Sequence, residues 1–205
     1  MTSPTEPGTF DRLAAPYDRG MAPLERLWLR DMRARLLPHA QGETLELGVG
    51  TGTNFSLYPD SVRLTAVDES ADMLAFAALR ASALGFPVWL CQANVECLPF
   101  PAGAFDTVLA CLVLCSVVNV RQALAEMRRV LRKPTGRLLL LEHTRPHVRA
   151  LAWLTDVANI PWYAIQGRCH LNRETTQAVA ASGFRIEHSE SKTGGLLRLI
   201  VARPA

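Results

Sequence analysis

One short stretch, LELGVGTGTNF over residues 45–55, limits most strongly what this chain can become. Three glycines, Gly48, Gly50 and Gly52, follow one another at two-residue spacing directly behind the apolar run TLEL. Glycine accepts positive φ and lets a backbone approach another group closely, so this spacing predicts a strand, a tight turn and the start of a helix. Turns of that kind belong to parallel sheets, whose ligands sit outside the C-terminal strand ends.

The rest of the chain alternates in the same way. VRLTAVD, PVWLCQA, FDTVLACLVL and GRLLLLEH read as further strands. Between them, residues 70–84 and 120–131 read as helices, the first ended by Gly85. Strands that are apolar on both faces must be covered on both sides. FRIEHSE and LLRLIVARP alternate instead and flank Gly194–Gly195, as an antiparallel hairpin does. The expectation is an α/β protein with a central, mostly parallel seven-stranded sheet, helices on both faces and an antiparallel C-terminal hairpin. Before the sheet, residues 23–37 carry Leu24, Leu27, Trp28, Met32 and Leu36 at helical spacing, with the helix ending near Pro38. Residues 148–167 read as a helix broken by Pro161, and 173–182 as another, capped by Asn172 and closed by Gly183.

Composition excludes several classes. The 205 residues suffice for one domain with a sizeable core. A net charge of +3 with interleaved signs is too weak to indicate a nucleic-acid partner. The five cysteines show no CxxC pair, which points to reduced thiols in a cytoplasmic compartment. The first residues, MTSPTEPGTF, lack the pattern of a secretory signal, and no apolar run reaches membrane-spanning length. The Arg-rich face of residues 23–37 allows weak contact with a membrane surface, although Glu25 and Asp31 weaken that case. Oligomeric state leaves no signal in the sequence.

The ligand follows from what the glycine turn lacks. Its pattern is E-x-G-x-G-x-G, and Thr53 occupies the place of the third glycine in the pyrophosphate-binding G-x-G-x-x-G turn. Glu46 would repel a phosphate and suits an ammonium. Asp68 ends the next strand, where a carboxylate can accept both hydroxyls of a ribose. A ribose and a cationic amino acid without phosphate describe S-adenosylmethionine, which leaves as S-adenosylhomocysteine once its methyl is transferred.

That ordered set resembles the class I S-adenosylmethionine-dependent methyltransferases, with their Rossmann-like fold, and the likeness covers most of the chain. FDRLAAPYD resembles the entry segment of the quinone-type branch, which implies that Tyr17 lies over the cofactor. VDESADML resembles the second motif and implies ribose binding by Asp68, with Glu69 beside it and Met73 packed on the adenine. In ANVECLPFPAGAFDTVLACLVLCSV, Asn94 stands where the family usually reads the adenine amino group with Asp, and Val95 would offer its backbone N–H. The resemblance adds Thr51, Asn54, Cys111 and Leu112 to the cofactor set. In RRVLRKPTGRLLLLEH, Thr135 replaces a turn glycine. LVLCSV, LEH and GRCHLNRET resemble, more narrowly, the thiol S-methyltransferases of animal membranes. Those carry an N-terminal apolar anchor, so the expectation here is a soluble relative. Phospholipid N-methyltransferases and quinone C-methyltransferases share the core motifs.

The expected arrangement is a single methyltransferase domain over 1–205. Residues 1–40 would form a helical lid, 41–142 the cofactor core, 143–183 the acceptor segment and 184–205 the hairpin. A small-molecule acceptor is expected, with three readings in play. A thiol needs orientation and positive potential more than a strong base, because part of it is already thiolate at neutral pH. The second is a phospholipid amine or a quinone carbon. The third is a module that binds the cofactor without catalysis. His143, after the fifth strand, is the candidate proton acceptor, or else a histidine that fixes its turn. Cys115, Trp162, Arg168 and His170 are candidates to line the acceptor pocket, with Cys115 read as packing and the aromatic stretch 153–163 as the cover. No metal is expected, because the spacing around Cys169 and His170 supplies no third ligand.

Overall fold

The computed structural model describes residues 20, 22, 23, 25–166 and 169–205. Seven strands form one sheet: β1 (Glu43–Leu47), β2 (Arg63–Asp68), β3 (Val88–Gln92), β4 (Thr107–Cys111), β5 (Arg137–His143), β6 (Phe184–Lys192) and β7 (Leu197–Pro204). Their spatial order is β3-β2-β1-β4-β5-β7-β6. β1 pairs in parallel with both β2 and β4, and β7 runs antiparallel between β5 and β6. The order reverses at β1, so the crevice beyond the ends of β1 and β4 is a topological switch point.

Among the described residues, these helices flank the sheet: α1 (Arg30–Leu36, entered through a π-helical turn, Glu25–Leu29), α2 (Ala71–Leu84), α3 (Val120–Val130), α4 (Arg149–Gln166) and α5 (Thr175–Ala181). The apolar run of β5 shows why both faces are covered. Successive side chains point to opposite sides. Leu138 and Leu140 pack with Leu124, Met127 and Val130 of α3 and Val179 of α5. Leu139 and Leu141 pack with Met32 and Leu36 of α1 and Ala77 of α2. All four leucines are fully buried, which contributes several kcal/mol at about 25 cal/mol per Å² of apolar surface. Ser70 caps α2 by accepting the Met73 N–H, and Gly85 closes the helix at φ +61°.

Four local expectations need correction. The glycine turn opens no α-helix: only a 3₁₀ turn, Phe55–Leu57, lies between β1 and β2. Gly48, Gly50 and Gly52 all take positive φ, and Pro59 follows before a longer helix can grow. β4 ends at Cys111, before the apolar run does, because Leu112 turns to φ +60°. α4 continues through Pro161; that residue and Val157 lie on the exposed side, where water can take the released carbonyl. Asn172 does not cap α5; its Nδ2 donates to Asp156 Oδ1 at 3.1 Å. Thr135 fits its turn at an ordinary φ. Among the described residues no helix is long and apolar enough to cross a membrane.

Candidate active site

Two cavities meet at the glycine turn. The larger, about 560 Å³, is lined by Glu46, Gly48, Gly50, Thr51, Asn54 and Cys111, with Glu25, Arg30 and Arg33 from the first helical segment opposite. The smaller, about 120 Å³, is lined by Gly48, Gly50, Asp68, Glu69, Met73, Asn94, Val95, Cys111 and Leu112. Gly48, Gly50 and Cys111 belong to both, so the cavities form one elongated cleft. The glycines serve different ends. A Cβ on Gly48 would strike Val113 Cγ2 at 2.6 Å, and one on Gly52 would run into the Phe55 ring. A Cβ on Gly50 would meet no protein atom within 4 Å, so it would enter the cleft itself. That open cradle, with a carboxylate at one end and mixed charges at the other, fits an adenosine joined to an amino acid.

Asp68 is the pivot of the turn. Its Oδ2 accepts the Gly50 N–H at 2.8 Å and its Oδ1 accepts the Ser70 N–H at 3.0 Å. Burial raises its pKa against those two bonds. The Glu69 N–H also faces this carboxylate, so backbone amides fix its orientation at the mouth of the smaller cavity. Met73 is buried against the same cavity.

Two side chains of the expected cofactor set already have protein partners. Glu46 is fully buried, and both oxygens already have protein donors: Asn54 Nδ2 at 2.6 Å and Tyr58 Oη at 2.9 Å. Asn54 Oδ1 in turn accepts Arg33 Nη1 at 2.7 Å, and Arg33 pairs with Glu25 at 3.0 Å. Glu46 is therefore the root of a buried network at the wall of the larger cavity, and burial pushes its pKa up to about 7. Asn94 Oδ1, the acceptor needed to read an adenine amino group, accepts the Glu96 N–H at 2.7 Å. A polar side chain two residues before a backbone N–H commonly closes such a turn. Burial pushes the Cys111 thiol up to about 12, so it lines the cleft as a neutral group.

Beyond β4, the loop 112–117 is held from two sides. Glu142, fully buried at the end of β5, accepts the N–H groups of Val113 and Leu114, each at 2.8 Å, and of Cys115 at 3.3 Å. Burial pushes its pKa up to about 7. Arg173 donates to the carbonyls of Leu114 (2.5 Å) and Val117 (2.8 Å). Neither residue figured in the sequence reading. A lone carboxylate inside LLLLEH was the available signal, since a charge in a buried strand needs partners.

His143, Cys115 and Cys169 come together beside this loop. The two sulfurs lie 3.6 Å apart, and Cys169 Sγ lies 3.9 Å from His143 Nδ1. The third ligand that the sequence spacing denied is thus supplied by the fold, and all three ligand atoms lie within 4.8 Å of one another. The partnership with Cys115, then His143 and Trp162, draws the Cys169 thiol well below its usual range, while Cys115 is pushed up. The His170 N–H donates to the Cys115 carbonyl at 2.8 Å, and its ring lies 4.9 Å from that of Tyr163. Burial lowers the His170 pKa. Of the aromatic stretch, Trp162 is half-buried and faces Cys169, whereas Trp153 is two-thirds exposed, so this part of the cover does not close over the site. Tyr17 and Arg168 lie outside the described residues.

The chain is similar to known proteins over most of its length. A family described as a methyltransferase domain matches residues 45–140. The ubiquinone/menaquinone biosynthesis C-methyltransferase UbiE of Hahella chejuensis is 38% identical over 195 residues, 90% of this chain and 77% of that protein. The human thiol S-methyltransferase TMT1A is 28% identical over 187 residues, 88% of this chain and 76% of that one. A SAM-dependent methyltransferase from Thermotoga maritima superposes with a TM-score of 0.74 at 21% identity, over 96% of this chain and 99% of its own. On the shared fold, the cleft at the switch point and the relatives that span it, the chain belongs to the S-adenosylmethionine-dependent methyltransferases.

Proposed function

We propose that this methyltransferase acts on the sulfur of a small thiol. The observation that carries the reading is the polarity at the end of β5. There the Cys115 thiol, and after it His143 and the Trp162 indole, face the Cys169 sulfur and favour its ionised form. Surroundings that stabilise one thiolate suit another, and a thiolate needs no strong base. The likeness to thiol S-methyltransferases over most of the chain supports the same acceptor.

The cofactor supplies an electrophilic methyl on a sulfonium. The chain's own residues hold, orient and exclude water. Asp68 takes the ribose hydroxyls, with Glu69 beside it, and Met73, Val95 and Leu112 enclose the adenine. Asn94 contributes its free Nδ2 side rather than its engaged oxygen. Arg33 and Arg30 face the amino acid carboxylate, and the buried Glu46 network lends negative potential toward the ammonium. Cys111 and Gly48 form the floor between the two halves. The helical segment that carries Glu25, Arg30 and Arg33 covers the larger cavity, and the segment around His143 and Cys169 forms the acceptor side. Glu142 and Arg173 position the loop that separates cofactor from acceptor. An in-line displacement gains most from such fixed placement.

C-methylation of a quinone is the second reading, favoured by the 38% identity to a quinone-pathway enzyme. The test is incubation with labelled cofactor and a panel of alkyl and aryl thiols, quinols and phosphatidylethanolamine vesicles. Label should appear in thioethers alone. Label in quinol or lipid with none in thiols would overturn the proposal, and tight binding without turnover on any acceptor would favour a non-catalytic module.

A further inference from the structure

Cys115, His143 and Cys169 come from three separate segments: the loop after β4, the end of β5 and the stretch after α4. Nothing in an apolar core requires two thiols and an imidazole to converge. Their spacing is that of a ligand set. Zinc bound to sulfur at about 2.3 Å and to nitrogen at about 2.0–2.1 Å, on tetrahedral angles, places two sulfurs about 3.8 Å apart and sulfur from nitrogen about 3.5 Å. The structure has 3.6 Å between the sulfurs and 3.9 Å from Cys169 to His143, and the third pair, Cys115 and His143, lies within 4.8 Å.

The supports are those of a built site. The His170 N–H bound to the Cys115 carbonyl ties the Cys169 segment to the β4 loop, and Arg173 ties the same segments a second time. The Cys115 N–H is fixed by Glu142, and the His143 carbonyl accepts from Thr175 Oγ1 at 3.5 Å. The buried Trp162 indole N–H faces Cys169, where a metal-bound thiolate would accept it. Cys115 is buried, whereas His143 and Cys169 are half-exposed, which leaves a way in for a cation.

We propose that Cys115, His143 and Cys169 bind a zinc ion whose fourth position takes the acceptor thiol. Three protein ligands with one open position are the pattern of catalytic rather than structural zinc. Among the described residues the cluster gathers only three ligand groups. Cys115 Sγ lies 3.4 Å from the Leu112 carbonyl, and Leu112 and Ser116 line the cofactor cleft, so the open position adjoins that wall. This assignment rests on the thiol reading above. The acceptor thiol gives its proton to solvent on binding the ion. A lone pair of its sulfur then forms the new bond to the methyl carbon, and the electrons of the breaking carbon–sulfur bond return to the cofactor sulfur. The product thioether is neutral and a poorer ligand, so it leaves the ion.

The test is titration of the reduced, chelator-treated full chain with cobalt(II), a coloured substitute for zinc, and then with zinc. One equivalent should bind, with thiolate-to-cobalt charge transfer and tetrahedral visible bands, and zinc should displace it. Cys115→Ser and Cys169→Ser should each weaken the band and lower zinc affinity by tenfold or more, with melting temperature and cofactor affinity retained as proof of folding. Adding the acceptor thiol should shift the cobalt bands, and adding its methylated product should not. No stoichiometric binding by the reduced chain, or equal binding by the serine variants, would overturn the site. Binding without a thiol-induced shift would overturn the open position. Undiminished thiol methylation by metal-free protein would overturn the role of zinc and leave the thiol reading standing; no thiol methylation with a normal cobalt spectrum would overturn the thiol reading and leave only the ion site standing.

Discussion

Replacing Gly50 by alanine separates what the glycine turn does for the fold from what it does for the ligand. Gly50 sits at φ +55°, and a Cβ there would meet no protein atom within 4 Å. The folded chain therefore feels only the left-handed backbone penalty, about 1 kcal/mol. For a domain of this size that lowers the melting temperature by roughly 2–4 °C. Gly85 provides the control: its φ is +61°, its Cβ position is equally open, and it lies outside the cleft. Gly50→Ala and Gly85→Ala should thus melt alike. They should part company in cofactor binding, because only at position 50 does the new methyl occupy the cradle. Calorimetry with S-adenosylhomocysteine should give a Kd raised by about tenfold or more for Gly50→Ala, equivalent to about 1.4 kcal/mol, and an unchanged Kd for Gly85→Ala. Equal affinity in the two variants would refute the assignment of this turn to the ligand.

Three other perturbations probe the side chains around it. Asp68→Ala should weaken cofactor binding by about tenfold or more and also lower stability by about 2 kcal/mol in denaturant titration, because the Gly50 and Ser70 N–H groups lose their acceptor. Glu142→Gln leaves a single acceptor oxygen for three N–H groups; about 1–3 kcal/mol of stability should go, with the acceptor KM rising more than the cofactor Kd. Glu46 binds its proton more tightly in the folded chain, with a pKa of about 7 against an ordinary 4.5, so its contribution is fully present below pH 4.5 and is lost as pH rises through 7. The fall in unfolding free energy between pH 5 and pH 8 should therefore be smaller in Glu46→Gln, by up to roughly 3 kcal/mol, and identical pH profiles would contradict that origin.

The sheet was legible because its strands announce themselves twice, by apolar runs and by the residues that end them. Leu138–Leu141 could only be a strand buried on both faces, and Ser70 and Gly85 marked the ends of α2 by capping chemistry. The cleft was legible where backbone geometry dictates residue type, as at Gly50, and where a carboxylate must end a strand, as at Asp68. What escaped was set by side-chain partners distant in sequence. The network around Glu46 was not legible because its donors, Asn54 and Tyr58, carry no pattern that ties them to it. The same holds for Asn94 and its turn. Cys115, His143 and Cys169 are separated by 28 and 26 positions, and no spacing rule joins them. Only the parallel order of β4 and β5, with the return of the chain after α4, brings them together.

The central claim is that the cleft between Asp68 and Glu46 holds the methyl donor. A crystal structure with S-adenosylhomocysteine tests it most directly. The ribose hydroxyls should lie within hydrogen-bond distance of Asp68, with the adenine against Met73 and Val95 and the sulfur over Gly48 toward the β4 loop. Density for the nucleoside elsewhere, or a ribose that leaves Asp68 untouched, would contradict the account.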